Sequence, residues 1–399
     1  MLERTRTVNS ILSFYGKKVL TGVLGVLPSF QMSDILQTPG EVIRRELEKR
    51  GWTQTDLATI LGKHLPAVSE VIQGKRSITP DMAVALGAAF GNMPEFWMNL
   101  DANYRLSLLE PNTEVERRAR IFNFAPVKDM QKRGWIRETQ ELNTLESDLC
   151  RFYNISSLDD TPKIHAHARQ PFQTQELDSS QIAWCMRAAK LAGTLDVSRF
   201  KPQQLKDALP EIRAMADFPD KAKHLSKLFS KIGIRLIVIE PLPSCKIDGA
   251  AFWLADDAPV VVLSVRFDRI DCLWFTLAHE LMHILHQDAQ SVDSDLVGES
   301  VSRDLEEIEM RANRDAAAFL IPPEKLKSFI IRVKPFYSKE RIVQFSHTMK
   351  IHPGIVSGQL QFNQQIGWYA NREMLVKIRH LITATTLTDG WGKTVPPVL

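Results

Sequence analysis

The chain has 399 residues, 44% of them hydrophobic and 24% charged, with a formal net charge of +3. That composition is ordinary for a soluble globular protein with room for roughly two to four domains, and so small a charge announces neither nucleic acid nor a membrane surface by field strength alone. Cys150, Cys185, Cys245 and Cys272 lie far apart with no C-x-x-C pair, which argues against a disulfide framework and a thiolate metal cluster, and for reduced thiols in a cytoplasmic protein.

At the start, KKVLTGVLGVLPSF (17–30) has two lysines before a short apolar run, like a weak secretory signal. Glycines interrupt the run, no small-residue cleavage pattern follows, and it falls short of the roughly 20 apolar residues that cross a bilayer. The segment 1–32 is therefore set apart from the folded chain, with Met32 as the natural start and residues 1–31 an upstream N-terminal extension, and no membrane partner is expected.

Residues 33–106 read as an all-α head of five short helices separated by Gly and Pro. Thr53 is placed as an N-cap, Pro66 fits a first helical turn, and Gly51, Gly62, Gly74 and Gly91 fit helix stops. LGKHL joins the second and third helices tightly, with Ala58 at their crossing and Leu61, Val68 and Ile72 in the core, as in a helix-turn-helix. The third would be the recognition helix. Lys63, His64, Pro66, Ala67, Ser69 and Glu70 would then face the major groove, with Gln54, Lys75 and Arg76 on phosphates. The segment 33–105 carries one more acidic than basic residue, so a protein-interaction role stands beside DNA binding on pattern alone. PGEVIRRELEKRGWTQTDLATILG, VSEVIQGKRSITPDMAVALGAAFG and PEFWMNLDANYRL resemble the HigA-type antitoxin branch of the lambda-repressor-like helix-turn-helix proteins. The resemblance implies a homodimer on a palindromic operator, often the protein's own promoter, and raises a toxin as a further partner. KHLPAVSE departs from that family, because the usual small polar residue opening the third helix is missing.

From 107 to 225, EVERRARIFNF, VKDMQKRGW, TLESDLCRFYN and QIAWCMRAAKLA read as amphipathic helices, expected to form a connector setting the distance between the two ends. His165 and His167, with no Cys, Asp or Glu beside them, read as exposed loop histidines.

Residues 226–335 change character. KIGIRLIVIE, GAAFWLA and APVVVLS read as three strands packed on a helix starting near Asp271, a small α+β unit. That helix contains LAHELMHILHQ (277–287). His279 and His283, four apart, share one face and can reach one ion; Glu280 sits about 100° around. His286 shares nearly that face but lies about 10.5 Å farther along the axis, so it reads as supporting or exposed. Six positions after His283 stands Ala289, which excludes a third histidine ligand there. Downstream, RDLEEIEMRANRDAAAFLIPP gives a helix with an apolar stripe through Leu305, Ile308, Ala312, Ala316 and Phe319. Glu309 falls about 40° from Leu305, inside that stripe, and a carboxylate facing a core is costly unless paired or bound to an ion. Glu309 is the expected third ligand, Glu306 the second choice, and pairing of Glu309 with Arg303 or Arg314 the bland alternative. Two imidazoles and a carboxylate suit one Zn2+ per chain with a fourth position for water, and Glu280 suits a general base in peptide hydrolysis. His286, Tyr337 and His347 are candidates for the oxyanion donor, with no basis for choosing among them.

IDGAAFWL, VVVLS, DCLWFTLAHELMHILH (271–286), Glu309 in EMRAN, and FLIPP together resemble the ImmA/IrrE-type metallopeptidase family over about 225–365. The resemblance implies a zincin-like metallopeptidase in the cytoplasm that cuts a helix-turn-helix repressor. Asp315 departs from the family, where an aromatic is usual. Residues 336–399 form a helical C-terminal segment in which 339–362 reads helix, turn at His352–Gly354, helix; it is expected to hold substrate or, less readily, DNA. The sequence thus describes a multidomain protein: an antitoxin-like regulator joined to a zinc endopeptidase. The competing description is a DNA-binding repressor whose zinc domain is a non-catalytic sensor or scaffold.

Overall fold

The computed structural model describes residues 37–109, 112–163, 177–243, 245–288, 290–294 and 303–392. The expected extension 1–32, together with His165 and His167, lies outside them. The chain divides into two compact units, Met1–Asn112 and Thr113–Leu399.

The first unit is all helical: α1 (Pro39–Arg50), α2 (Gln54–Leu61), α3 (Leu65–Ile72), α4 (Pro80–Phe90) and α5 (Pro94–Ser107). Each boundary has a local cause. Thr38 and Thr53 close capping boxes with Glu41 and Asp56, and Gly51, Gly62 and Gly91 end their helices in the left-handed conformation, satisfying terminal N–H and C=O groups that would otherwise stay unbonded. Leu57, Ala58, Val68, Ile72, Leu86 and Trp97 meet in one core. Gly40 lets α1 approach the end of α3: a Cβ there would lie 1.9 Å from the Ile72 carbonyl oxygen.

The second unit begins with α6 (Thr113–Phe124), α7 (Val127–Lys132), α8 (Leu142–Tyr153), α9 (Ser179–Gly193), α10 (Pro202–Ala214) and α11 (Leu225–Lys231). There follow β1 (Arg235–Ile239), β2 (Ile247–Trp253), β3 (Pro259–Leu263), α12 (Ile270–His286), β4 (Gln290–Ser294), α13 (Arg303–Leu320), α14 (Pro323–Val333), α15 (Lys339–Met349), α16 (Pro353–Phe362), α17 (Arg379–Ile382) and β5 (Leu387–Asp389). The three expected strands belong to a five-stranded sheet of order β4-β2-β3-β1-β5. β1 runs parallel to β3 and β5, and β2 antiparallel to β3 and β4.

Alternation along the strands sorts side chains between two cores. Leu236, Val238, Val261 and Leu263 face one core with α12; Ile237, Ile239, Val260 and Val262 face the other with α8 and α9. This corrects the connector reading of 107–225. From Thr113 onward these helices belong to the same compact unit as the sheet, and Trp184, Cys185, Ala188 and Leu191 of α9 are buried in the second core. A further tie is the fully buried pair of Arg187 and Asp389, with the Trp135 indole donating to Asp389 at 2.9 Å, which fastens β5 to α9.

The C-terminal turn also moves: α15 ends at Met349, Lys350 is left-handed, and α16 begins at Pro353. Because α16 packs along α12 and buries Ile355, Val356, Leu360 and Gln361, it is a wall of the domain and offers no free face for DNA.

Candidate metal centre

α12 is a 17-residue helix whose middle is enclosed on nearly every side. It packs against β2, β3, α13 and α16, so its histidines point into packed protein. His279 and His283 are 0% and 1% exposed, and their Nε2 atoms lie 2.9 Å apart. From α13, one Glu309 carboxylate oxygen comes within 3.1 Å of His279 Nε2 and the other within 3.6 Å of His283 Nε2. His279, His283 and Glu309 are the group that can offer converging ligand atoms to one ion among the described residues. The alternatives for Glu309 separate cleanly: it faces the imidazoles. The Glu306 side chain lies outside the described residues.

The electrostatics follow from this convergence. Burial pushes the Glu309 carboxyl up, but hydrogen bonds from His279 and His283 outweigh it and hold the group down at about 2. For His283, burial pulls the pKa down, and hydrogen bonds to Asp288 and Glu309 more than reverse that, so the imidazole is raised above its ordinary value. Such a cluster of two buried imidazoles and a half-buried carboxylate, gathered by opposite charge, fits a divalent cation in chemistry and in spacing. His283 Nδ1 lies 2.9 Å from Asp288 Oδ2, which leaves Nε2 as its ligating nitrogen.

Glu280 is 0% exposed. Its carboxyl lies over Gly249 of β2, where an added Cβ would come 2.7 Å from Glu280 Oε1 and 2.6 Å from Thr276 Cγ2. The seat for this carboxyl is therefore a strand position without a side chain. His286 is bonded to Asp315, Nε2 to Oδ2, at 3.0 Å, giving a local partner to the aspartate that departs from the family pattern. Tyr337 donates its hydroxyl to Gln365 at 3.1 Å, and His347 lines an open surface groove on α15 with Lys339, Glu340, Val343 and Gln344.

In the first unit Gln54 at the start of α2, Lys63, His64 and Pro66 at the turn into α3, Glu70 near the end of α3, and Lys75 and Arg76 beyond it are exposed, while Ala67 and Ser69 are half-buried. Ser69, expected to be exposed, accepts instead from Gln73 at 2.9 Å. Glu70 pairs with Arg76 at 3.6 Å. Gly74, at φ +74°, lets the chain fold back so that the N–H groups of Lys75 and Arg76 donate to the Glu70 carbonyl. His64 is the α3 N-cap without a side-chain cap bond, the structural counterpart of the missing small polar residue.

Sequence reasoning missed Asp288, Arg311 and Gly249. Arg311 donates to Asp288 at 2.6 Å; its signal was its place two residues after Glu309. Asp288 offered only its place five residues after His283, and Gly249 none that periodicity could show.

A helix-turn-helix family model matches residues 43–97, and an IrrE N-terminal-like domain of the peptidase class matches 230–339, a span that includes His279, Glu280, His283 and Glu309. Virulence-associated protein A' of Dichelobacter nodosus is 44% identical over 70 residues, 17% of this chain and 61% of that protein. An HTH-type transcriptional regulator of Haemophilus influenzae is 37% identical over 78 residues, 19% of this chain and 73% of its own length. Antitoxin HigA-1 of Vibrio cholerae is 44% identical over 62 residues, 15% of this chain and 58% of its own. The chain thus spans less than two thirds of the first and last of these relatives. Among the described residues no helix is long and apolar enough to cross a membrane. Through its first unit the chain belongs to the helix-turn-helix regulators that include HigA antitoxins, and its second unit carries an IrrE N-terminal-like domain with a metallopeptidase-like fold.

Proposed function

We propose that the chain is a cytoplasmic regulator that joins an operator-binding head to a zinc-dependent endopeptidase acting on another regulatory protein, a helix-turn-helix repressor in the first instance. The observation that carries the enzymatic half is the meeting of His279, His283 and Glu309 from two helices, with Glu280 on the same helix as the histidines. His279, His283 and Glu309 would hold one Zn2+ per chain. When bound, Zn2+ supplies a Lewis acid that brings the pKa of water to about 7 and polarises a carbonyl. Glu280 takes the proton from water and returns it to the departing amine, so hydrolysis splits one amide into a carboxylate and an amine. Burial of His279, Glu280 and His283 strengthens the interactions among these groups.

The test is Glu280→Gln. The variant is expected to keep stoichiometric zinc and to lose cleavage by a factor on the order of 10² to 10⁴. Proteomics of the native host, comparing wild type with Glu280→Gln, should find a regulator that persists only in the variant. Unchanged proteolysis would remove the catalytic assignment. One observation favours a second reading, a zinc-dependent sensor or scaffold without turnover: the carboxyl of Glu280 is enclosed between Thr276 and Gly249. Zinc-dependent operator binding with no host protein stabilised in Glu280→Gln is the outcome that reading requires.

For the head, likeness to helix-turn-helix regulators, antitoxin HigA-1 among them, supports binding to operator DNA; to this we add a homodimer on a palindromic operator, the chain's own promoter being the first to try, and a toxin as a further partner. Exposure of Lys63 and His64 before α3, and of Lys75 and Arg76 after it, supports them as contacts.

A further inference from the structure

Asp288 is fixed from four directions. Gln287 ends α12 in the left-handed conformation, after which the Asp288 N–H donates to the His283 carbonyl at 3.0 Å. The Trp253 indole at the end of β2 donates to the Asp288 carbonyl at 2.9 Å. The carboxylate itself is divided: Oδ2 faces His283 Nδ1 at 2.9 Å, and Oδ1 accepts from Arg311 at 2.6 Å. The Asp288 side chain is 8% exposed and that of Arg311 37%, so the bond to His283 is shielded from solvent and the bond to Arg311 partly so.

Arg311 stands two residues beyond Glu309 on α13. The Asp288–Arg311 bond therefore ties the end of the helix that carries both histidines to the helix that carries the carboxylate. A pair of this kind does two things. It holds the Nδ1–H tautomer of His283, turning Nε2 toward Glu309, and it fixes the separation of the two helices at the place where their side chains must converge.

We propose that Asp288 and Arg311 are positioning residues for the metal centre, a brace that sets the His283 tautomer and holds the two ligand-bearing helices in register before the ion arrives. This rests on the reading of His279, His283 and Glu309 as metal ligands. Partners of ligand histidines typically contribute about 10- to 100-fold to metal affinity, and preorganisation lowers the ordering cost of binding.

The experiment measures Zn2+ affinity of the full chain by competition with a chromophoric chelator, alongside the visible ligand-field spectrum of the Co2+-loaded protein and the unfolding of the metal-free protein. Asp288→Asn and Arg311→Met are each expected to weaken Zn2+ by about 10- to 100-fold and to shift the Co2+ bands. Arg311→Lys should recover part of the loss, since it restores charge but not the planar fork. The double variant should be no weaker than the worse single one, as for residues acting through a single contact. Zn2+ affinity within about twofold of wild type in both single variants, with only metal-free stability reduced, would overturn the brace and leave the ligand assignment standing. A wild-type chain that takes up no Zn2+ would instead remove the ligand assignment and the brace with it.

Discussion

At the scale of single residues, the position of Gly249 shows how closely the sheet and α12 are fitted. A methyl at this position would press on Glu280 Oε1 at 2.7 Å and Thr276 Cγ2 at 2.6 Å, and both belong to a helix that has no room to retreat. Gly249→Ala is expected to lower unfolding stability by about 1–3 kcal/mol, the usual cost of overpacking, while zinc stoichiometry stays at one, because the atoms nearest the added methyl belong to Thr276 and Glu280 and not to a ligand. Denaturant titration and metal analysis of the purified variant check the two halves separately; loss of zinc would mean the strand supports the ligands as well as Glu280. The four residues at the centre were legible in the sequence for a physical reason. Helical periodicity fixes relative directions within one helix, so His279, Glu280 and His283 could be placed from spacing, and Glu309 from its conflict with an apolar stripe. Asp288 and Gly249 act through contacts between elements, which spacing along one element does not encode.

At the scale of elements, helix ends were readable and sheet edges were not. Thr, Pro and Gly punctuate α1, α2 and α4 at the residues where those helices start and stop, because caps are local chemistry. β4 (QSVDS) and β5 (LTD) each hold a single large apolar residue, so neither shows the apolar run or alternation that marks a strand. α9 was misread for another reason: Ala183, Trp184, Cys185, Met186, Ala188, Ala189, Leu191 and Ala192 are apolar around most of the helix, which marks an enclosed helix and not an exposed connector. The same layer carries a testable ion pair. Asp148 of α8 is 4% exposed and paired with Arg137, whose side-chain hydrogen bonds hold the carboxyl below the ordinary aspartate value of 3.8. The unfolded chain therefore binds the proton more readily than the folded one, so this stabilisation is complete above pH 3.8 and is lost as pH falls through the lower folded value. Asp148→Asn should cost about 1–3 kcal/mol near neutrality, and its deficit relative to wild type should shrink as pH drops below 3.8. Urea midpoints measured from pH 7 downward decide it; a deficit constant with pH would place the effect in packing.

At the scale of the whole molecule, the open question is where the chain can be divided. The connector reading puts two weak points in it, one near residue 107 and one near 225. The structure puts a boundary at Asn112 and none near 225, where α10 and α11 share a core with β1 and α12. Beside that boundary α5 ends at Ser107, and Leu106, Leu108 and Leu109 are 65%, 64% and 68% exposed, so a protease that cuts after large apolar residues has access to backbone held by few contacts. Brief chymotrypsin treatment of the full chain is expected to cut first between about residues 104 and 113, releasing an N-terminal piece that keeps helical circular dichroism. Everything from Thr113 onward should elute together in gel filtration and keep its zinc. Separation of residues 113–225 from the rest of the second unit would restore the connector. The division also bears on the head: with one more acid than base over 33–105, its affinity for DNA has to come from a local cluster and not from net charge. Lys75→Ala in the full chain should weaken binding to its own upstream DNA and to unrelated duplexes alike, and lower the salt slope by about 1, as expected for a phosphate contact. A loss confined to one sequence would move Lys75 from the backbone to a base edge.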